Sequence, residues 1–155
     1  MVNLTNIYES ISNWLLECEE TTGYIYFNVI PIEIETSSVT SNSGSSILNT
    51  YLDGSKEVRL LFNINLIKSY DNGGTSDLNL DAMQSFNNII SFIEQKNNEE
   101  EYPDLGEGYV VNDIGATYKA PEVYITPDNP NIARYEGQFY IEYLEKEWEL
   151  NGSND

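Results

Sequence analysis

Between Val58 and Leu66 every even position is apolar: Val58, Leu60, Phe62, Ile64 and Leu66. The odd positions include Glu57, Arg59, Asn63 and Asn65. Successive side chains of an extended chain point to opposite faces, so this is a β-strand with one buried and one solvated face. The pattern recurs in ARYEGQFYIEYLEKEWEL (133–150), where Tyr135, Gly137, Phe139, Ile141 and Tyr143 alternate with Arg134, Glu136, Gln138 and Glu142. Two long half-buried strands demand a sheet with other elements packed on one face. DNGG (71–74) ends the first strand with strong turn chemistry.

Helical spacing supplies the covering elements. Leu4, Ile7, Tyr8, Ile11, Trp14, Leu15 and Cys18 recur at intervals of three and four, an apolar stripe over 4–18. Cys18 lies on that stripe and reads as a small buried hydrophobe. A second stripe over 78–95 carries Leu80, Met83, Phe86, Ile90 and Ile93, widened by Ile89 and Phe92. Ser76 or Asp77 is placed to cap its start.

YIYFNVIPIEI (24–34) is β-branched and aromatic and predicts a strand, which Pro31 confines to an edge or a strand end. TSSVTSNSGSS (36–46) is low in complexity and predicts a long mobile hairpin loop. KNNEEEYPDLGEG (96–108) predicts an acidic mobile loop that stops the second helix, and PDNPN (127–131) a turn. Shorter strands are expected at 109–113 and 122–126, and a frayed tail at 151–155. The order is helix, two strands, helix, then further strands. It predicts one α+β domain over 1–150, with a mainly antiparallel sheet flanked by two amphipathic helices at about 4–18 and 78–95.

The 155 residues hold 26 Asp and Glu against 7 Lys and Arg, a formal net charge of −19. Such charge repels nucleic acid and anionic membranes, and nucleic-acid binding needs phosphate neutralisation by cations. A basic partner, a bound cation or self-assembly stay open. The single cysteine allows no intrachain disulfide and no thiolate metal cluster. MVNLTNIYES lacks a basic segment followed by an apolar run, so no secretory signal is expected and the chain reads as made in a cytoplasm. The sequons at Asn3 and Asn151 carry no meaning there. No window approaches the ~18 apolar residues of a membrane span.

The chain has no histidine. That removes Ser-His and Cys-His nucleophile systems and His-based zinc or iron sites. No glycine-rich phosphate loop is present. Asp77, Asn79 and Asp81 begin a calcium-loop pattern, but Ala82 stands where Gly is required and Asn88 where a bidentate Glu is required. They read as the acidic start of a helix. Glu99, Glu100, Glu101, Asp104 and Glu107 read as a solvated charge run rather than a divalent-ion site. No catalytic residue, metal or cofactor is expected. The 12 tyrosines suit protein–protein surfaces, although Tyr135 and Tyr143 are equally well explained as core packing.

Several strings in series carry a resemblance: a helix with NIYESISNWL, a Ser/Gly-rich segment, YLDGSKEVRLLFNINLIKSYD, a helix with MQSFNNIISFIEQ, YPDLGEG, and ARYEGQFYIEYLEKE. Over roughly residues 4–146 the chain resembles the tail terminator (tail completion) proteins of tailed bacteriophages and phage-derived particles, often classed as minor capsid proteins. The resemblance implies a small α+β structural subunit without catalytic residues, located in the virion tail or neck and made in the cytoplasm of a bacterial host. Six copies would form a ring on the head-proximal end of the tail tube. That ring would stop tube growth and offer a docking face to the head connector or neck protein, and would meet a sheath where the tail is contractile. DNA would pass through the lumen without specific binding. Six copies at −19 each carry a formal −114 (6 × −19), and Glu99, Glu100, Glu101 and Asp104 are expected to line the lumen.

A head-completion or neck protein of the same particles is the nearest alternative. From a different class, a DNA-mimicking acidic inhibitor of a basic partner fits the charge; it would be monomeric or dimeric, and salt would weaken its complex. The cations Lys56, Arg59 and Lys68 do not form one basic site. Lys56 falls in a turn, and Arg59 and Lys68 lie about 30 Å apart along a strand at ~3.3 Å per residue. With Arg134, they are expected at contacts between subunits.

Overall fold

The computed structural model describes residues 4–21, 24–73 and 77–146. The expected frayed tail, Asn3, Asn151 and the Ser76 cap lie outside these residues, as does the side chain of Leu4. The chain is α+β. The elements run α1 (Leu4–Leu15), β1 (Ile25–Phe27), β2 (Thr36–Ser41), β3 (Ser46–Thr50), β4 (Lys56–Ser69), α2 (Leu78–Asn98), β5 (Tyr109–Ala116), β6 (Glu122–Thr126) and β7 (Asn129–Glu145).

Within the described residues seven strands form one mixed sheet. Its spine is the antiparallel pair β4–β7, in register from Lys56↔Glu145 to Ser69↔Ile132. β2 and β3 share the other edge of β4, end to end. β5 and β6 share the other edge of β7 in the same way. β1 adds to β2 in parallel.

The register explains the alternation. Leu60 faces Ile141, Phe62 faces Phe139, Ile64 faces Gly137 and Leu66 faces Tyr135, and all of these are buried. They share a core with Ile7, Ile11 and Leu15 of α1 and Phe86, Ile89 and Ile93 of α2. Each fully buried aliphatic or Phe side chain contributes about 1.5–3 kcal/mol relative to exposure. The phenyl ring of Phe86 lies over Gly137 and against Phe139, at 6.1 Å between ring centroids. Tyr135 and Tyr143 are core residues. The opposite face is largely polar, with Asn63↔Gln138, Asn65↔Glu136 and Arg59↔Glu142 as cross-strand neighbours, but it is not solvated throughout as expected, since Asn65 and Ile67 on it are buried.

Four expectations are corrected. The segment 36–46 is not a mobile loop: Thr36–Ser41 forms β2 inside the sheet, and only 42–45 turn before β3. Its hydroxyls have partners, since Asn65 Nδ2 donates to Ser38 Oγ and Thr40 Oγ1, each at 3.2 Å. Conversely, 24–34 is a strand only over Ile25–Phe27, because Asn28 takes a left-handed φ of 53° and breaks the extended run. In α2 the buried stripe is Ala82, Phe86, Ile89, Ile90 and Ile93, whereas Leu80 is 70% exposed. Asp77 occupies the N-cap position of α2 without a side-chain capping bond. Asn79 instead ties the helix start to Asp71, accepting from its N–H at 2.9 Å and donating to its carbonyl at 3.0 Å.

Boundaries also shift. α1 stops at Leu15, and a turn followed by a short 3-10 segment at Glu19–Thr21 keeps Cys18 buried. α2 takes 96–98 from the acidic loop, and β7 absorbs 129–131 from the expected turn.

Candidate assembly surfaces

Three of the four predicted contact cations are paired inside the chain. Arg59 on β4 binds Glu142 of β7, Nη2 to Oε1 at 2.7 Å, and its guanidinium lies 4.8 Å from the centroid of the Tyr140 ring. Tyr140 donates to Asp113 Oδ2 at 3.0 Å. Burial first, and then that hydrogen bond, push the Tyr140 phenol up to about 12. Arg134 binds Glu136 at 2.8 Å and lies 4.4 Å from the centroid of the Tyr124 ring. Lys68 binds Glu35 at 2.8 Å. Arg59 and Arg134 share the polar face but sit at opposite ends of it, and Lys68 has the opposite register. Arg59 and Lys68 therefore stay apart, as their spacing predicted, and Arg134 joins neither.

Lys56 differs. Of the seven cations, all among the described residues, Lys96 pairs with Glu17 and Glu101 and Lys119 with Glu94. Lys146 also has an interaction. Lys56, expected in a turn, is instead the first residue of β4, paired with Thr50 beside the hairpin turn, and among the described residues it has no carboxylate within ion-pair distance.

The acidic candidates Glu99, Glu100, Glu101 and Asp104 are exposed between α2 and β5. Glu99 accepts from Gln95 at 3.1 Å, Glu101 from Lys96 at 2.8 Å, and Asp104 from the Gly106 N–H at 3.0 Å. Glu100 takes a left-handed φ of 57°. The loop is anchored from beneath by buried Leu105 and by Trp14, whose Nε1 donates to the Glu101 carbonyl at 2.8 Å. Among the described residues no group of three His, Cys, Asp or Glu side chains is placed to hold a metal ion. The Cys18 thiol is buried and pushed up, chiefly by desolvation, which disfavours the nucleophilic thiolate. Among the described residues no helix is long and apolar enough to cross a membrane.

Sequence reasoning missed two exposed apolar surfaces. Every residue of β3 and of β6 is exposed. The β3–β4 hairpin presents Ile47, Leu48, Tyr51 and Leu52, with Leu52 fully in solvent at its tip. At the other end of the sheet, the segment 28–35 and the β6–β7 hairpin enclose a cleft of about 560 Å³. Ile30, Ile32, Ile67, Tyr124, Ile125 and Ile132 line it. Because β3 borders the Lys56 end of β4 and β6 borders the Ile132 end of β7, knob and cleft occupy diagonally opposite corners of the sheet. One signal was available: Val123, Tyr124 and Ile125 are consecutive apolar residues in a strand, and they cannot all face one core.

No family model matches the chain, and no curated protein matches it significantly.

Proposed function

We propose that this chain is a structural subunit of a phage or phage-like particle, a tail terminator that closes into a six-membered ring at the head-proximal end of a tail tube. The observation that carries the reading is the pair of exposed apolar corners on opposite ends and opposite edges of one sheet. Two different surfaces that meet between copies make a heterologous contact, and a heterologous contact that closes makes a ring. Contiguous exposed apolar surface on a strongly charged chain is costly for solubility unless a partner covers it. The choice of family rests on the resemblance of the sequence over roughly residues 4–146.

On this reading the tail tube protein and the neck or connector protein contact the two flat faces of the ring. The exposed carboxylates of 99–104 would face the lumen, where they would repel passing DNA. The reading predicts a phenotype that no acidic inhibitor would give: without this chain, tubes grow to uncontrolled length and carry no heads. Electron microscopy of particles from a deletion strain measures this directly. Tubes of normal length joined to heads in that strain would refute the assignment.

A further inference from the structure

Resting on the ring reading, we infer that the occupant of the apolar cleft is the β3–β4 hairpin of the neighbouring copy, entering with Leu52 foremost. Three observations fix this occupant. The cleft, at about 560 Å³, is in the ~300–1,000 Å³ range of sites that bury small ligands, room for the Leu52 and Tyr51 side chains together. Among the described residues the hairpin tip is the most exposed apolar point: Leu52 is fully exposed and Tyr51 is 49% exposed.

The third observation is charge. A chain of net −19 approaches its own copy against repulsion, so a self-contact needs a cation that the fold has not already neutralised. Among the described residues Lys56 is the cation left without an ion pair, four residues from Leu52 on the same hairpin and with Glu145 as its cross-strand neighbour. The mouth of the cleft carries Asp128 in the β6–β7 turn, whose carboxylate has no ion pair or side-chain hydrogen bond among the described residues. Among the described residues, a cation and an acid that each lack an ion pair therefore accompany knob and cleft. Because the two lie at diagonal corners, docking one into the other uses each copy once as donor and once as acceptor. That leaves the corresponding surfaces free for the next copy until the ring closes.

The test uses the full chain and four variants: Leu52→Asp, Ile32→Asp, Lys56→Glu and Lys56→Glu with Asp128→Lys. Leu52 and Ile32 are exposed, Ile32 by 85%, so the folded state should survive, and circular dichroism with thermal melting checks that it does. Sedimentation velocity then reads assembly. Leu52→Asp alone and Ile32→Asp alone should each weaken association roughly thirtyfold or more, the loss of a hot-spot side chain. Mixed in equal amounts they should form a dimer and nothing larger, because one retains an intact cleft and the other an intact hairpin. Lys56→Glu should weaken association several-fold, and adding Asp128→Lys should restore it. If wild-type protein forms rings and Leu52→Asp forms them equally well, the docking inference is wrong and the ring reading stands. If the mixture stays monomeric while wild type forms rings, the contact is not hairpin into cleft. Wild-type protein that remains monomeric at every concentration, and is absent from particles, would overturn both.

Discussion

Gly137 shows what a single residue contributes to the core. It sits on the helix-facing side of β7, where an added Cβ would lie 2.5 Å from Phe86 Cζ and 2.7 Å from Cε1. The ring of Phe86 fills the notch that the missing side chain leaves. Gly137→Ala should therefore destabilise the protein by about 1–3 kcal/mol through overpacking, measurable by urea unfolding. Unchanged stability would contradict the notch. The alternation in the sequence predicted which face Gly137 occupies, but not why glycine is there, because the constraint comes from a helix some fifty residues away. Tyrosine chemistry gives a second prediction at this scale. Burial, and then the bond to Asp113, push the Tyr140 phenol up to about 12 from 10.0, and Tyr135 and Tyr143 are also raised, first by burial. Below pH 10 both states hold these protons, so the contribution is complete. Above it the unfolded chain releases protons that the folded chain retains, and stability falls as pH rises toward 12. Melting temperature against pH should thus decline steeply above about pH 10, less so in Tyr140→Phe. A flat profile between 10 and 12 would count against the half-buried Tyr140–Asp113 pair.

At the level of elements, periodicity was the reliable guide and composition the poor one. β4 and β7 were legible because each alternates over many residues, and α1 because Ile7, Tyr8, Ile11, Trp14, Leu15 and Cys18 are all buried as their spacing requires. β2 was not. Its Ser and Thr side chains resemble those of a flexible linker, yet Ser38 and Val39 are fully buried and Asn65 of β4 binds two of its hydroxyls. A hydroxyl-rich strand becomes visible only when its partner strand supplies the polar groups that satisfy it. Hydrogen exchange separates the two descriptions. Amides of Ser37 to Thr40 should exchange slowly, near the rate of global unfolding, while those of Ser43 and Ser45 in the following turn exchange fast. Equally fast exchange across 36–46 would restore the mobile loop. Of the expected stripe of α2, Phe86, Ile89, Ile90 and Ile93 are buried and Met83 and Phe92 pack against the core; Leu80 departs from it because it lies at the exposed start of the helix, and Ala82 takes its place.

For the whole molecule, the sequence predicted an α+β chain with a mostly antiparallel sheet, and the structure has it. The exposed apolar surfaces were illegible in one dimension. Exposure on both faces of β3 and β6 depends on where those strands run past the helices, and the pairing of knob with cleft that we propose depends on the diagonal of the finished sheet. Charge belongs to this scale as well. With −19 on each copy, association should strengthen as salt screens the repulsion between copies, whereas an acidic inhibitor on a basic partner would lose affinity over the same range. The most direct test of the proposed function is electron microscopy of the purified protein and of the particles that contain it. The account predicts six-fold rings in solution and the same ring capping the head-proximal end of the tube. A monomer or two-fold dimer in solution, together with tubes whose ends lack this chain, would contradict it.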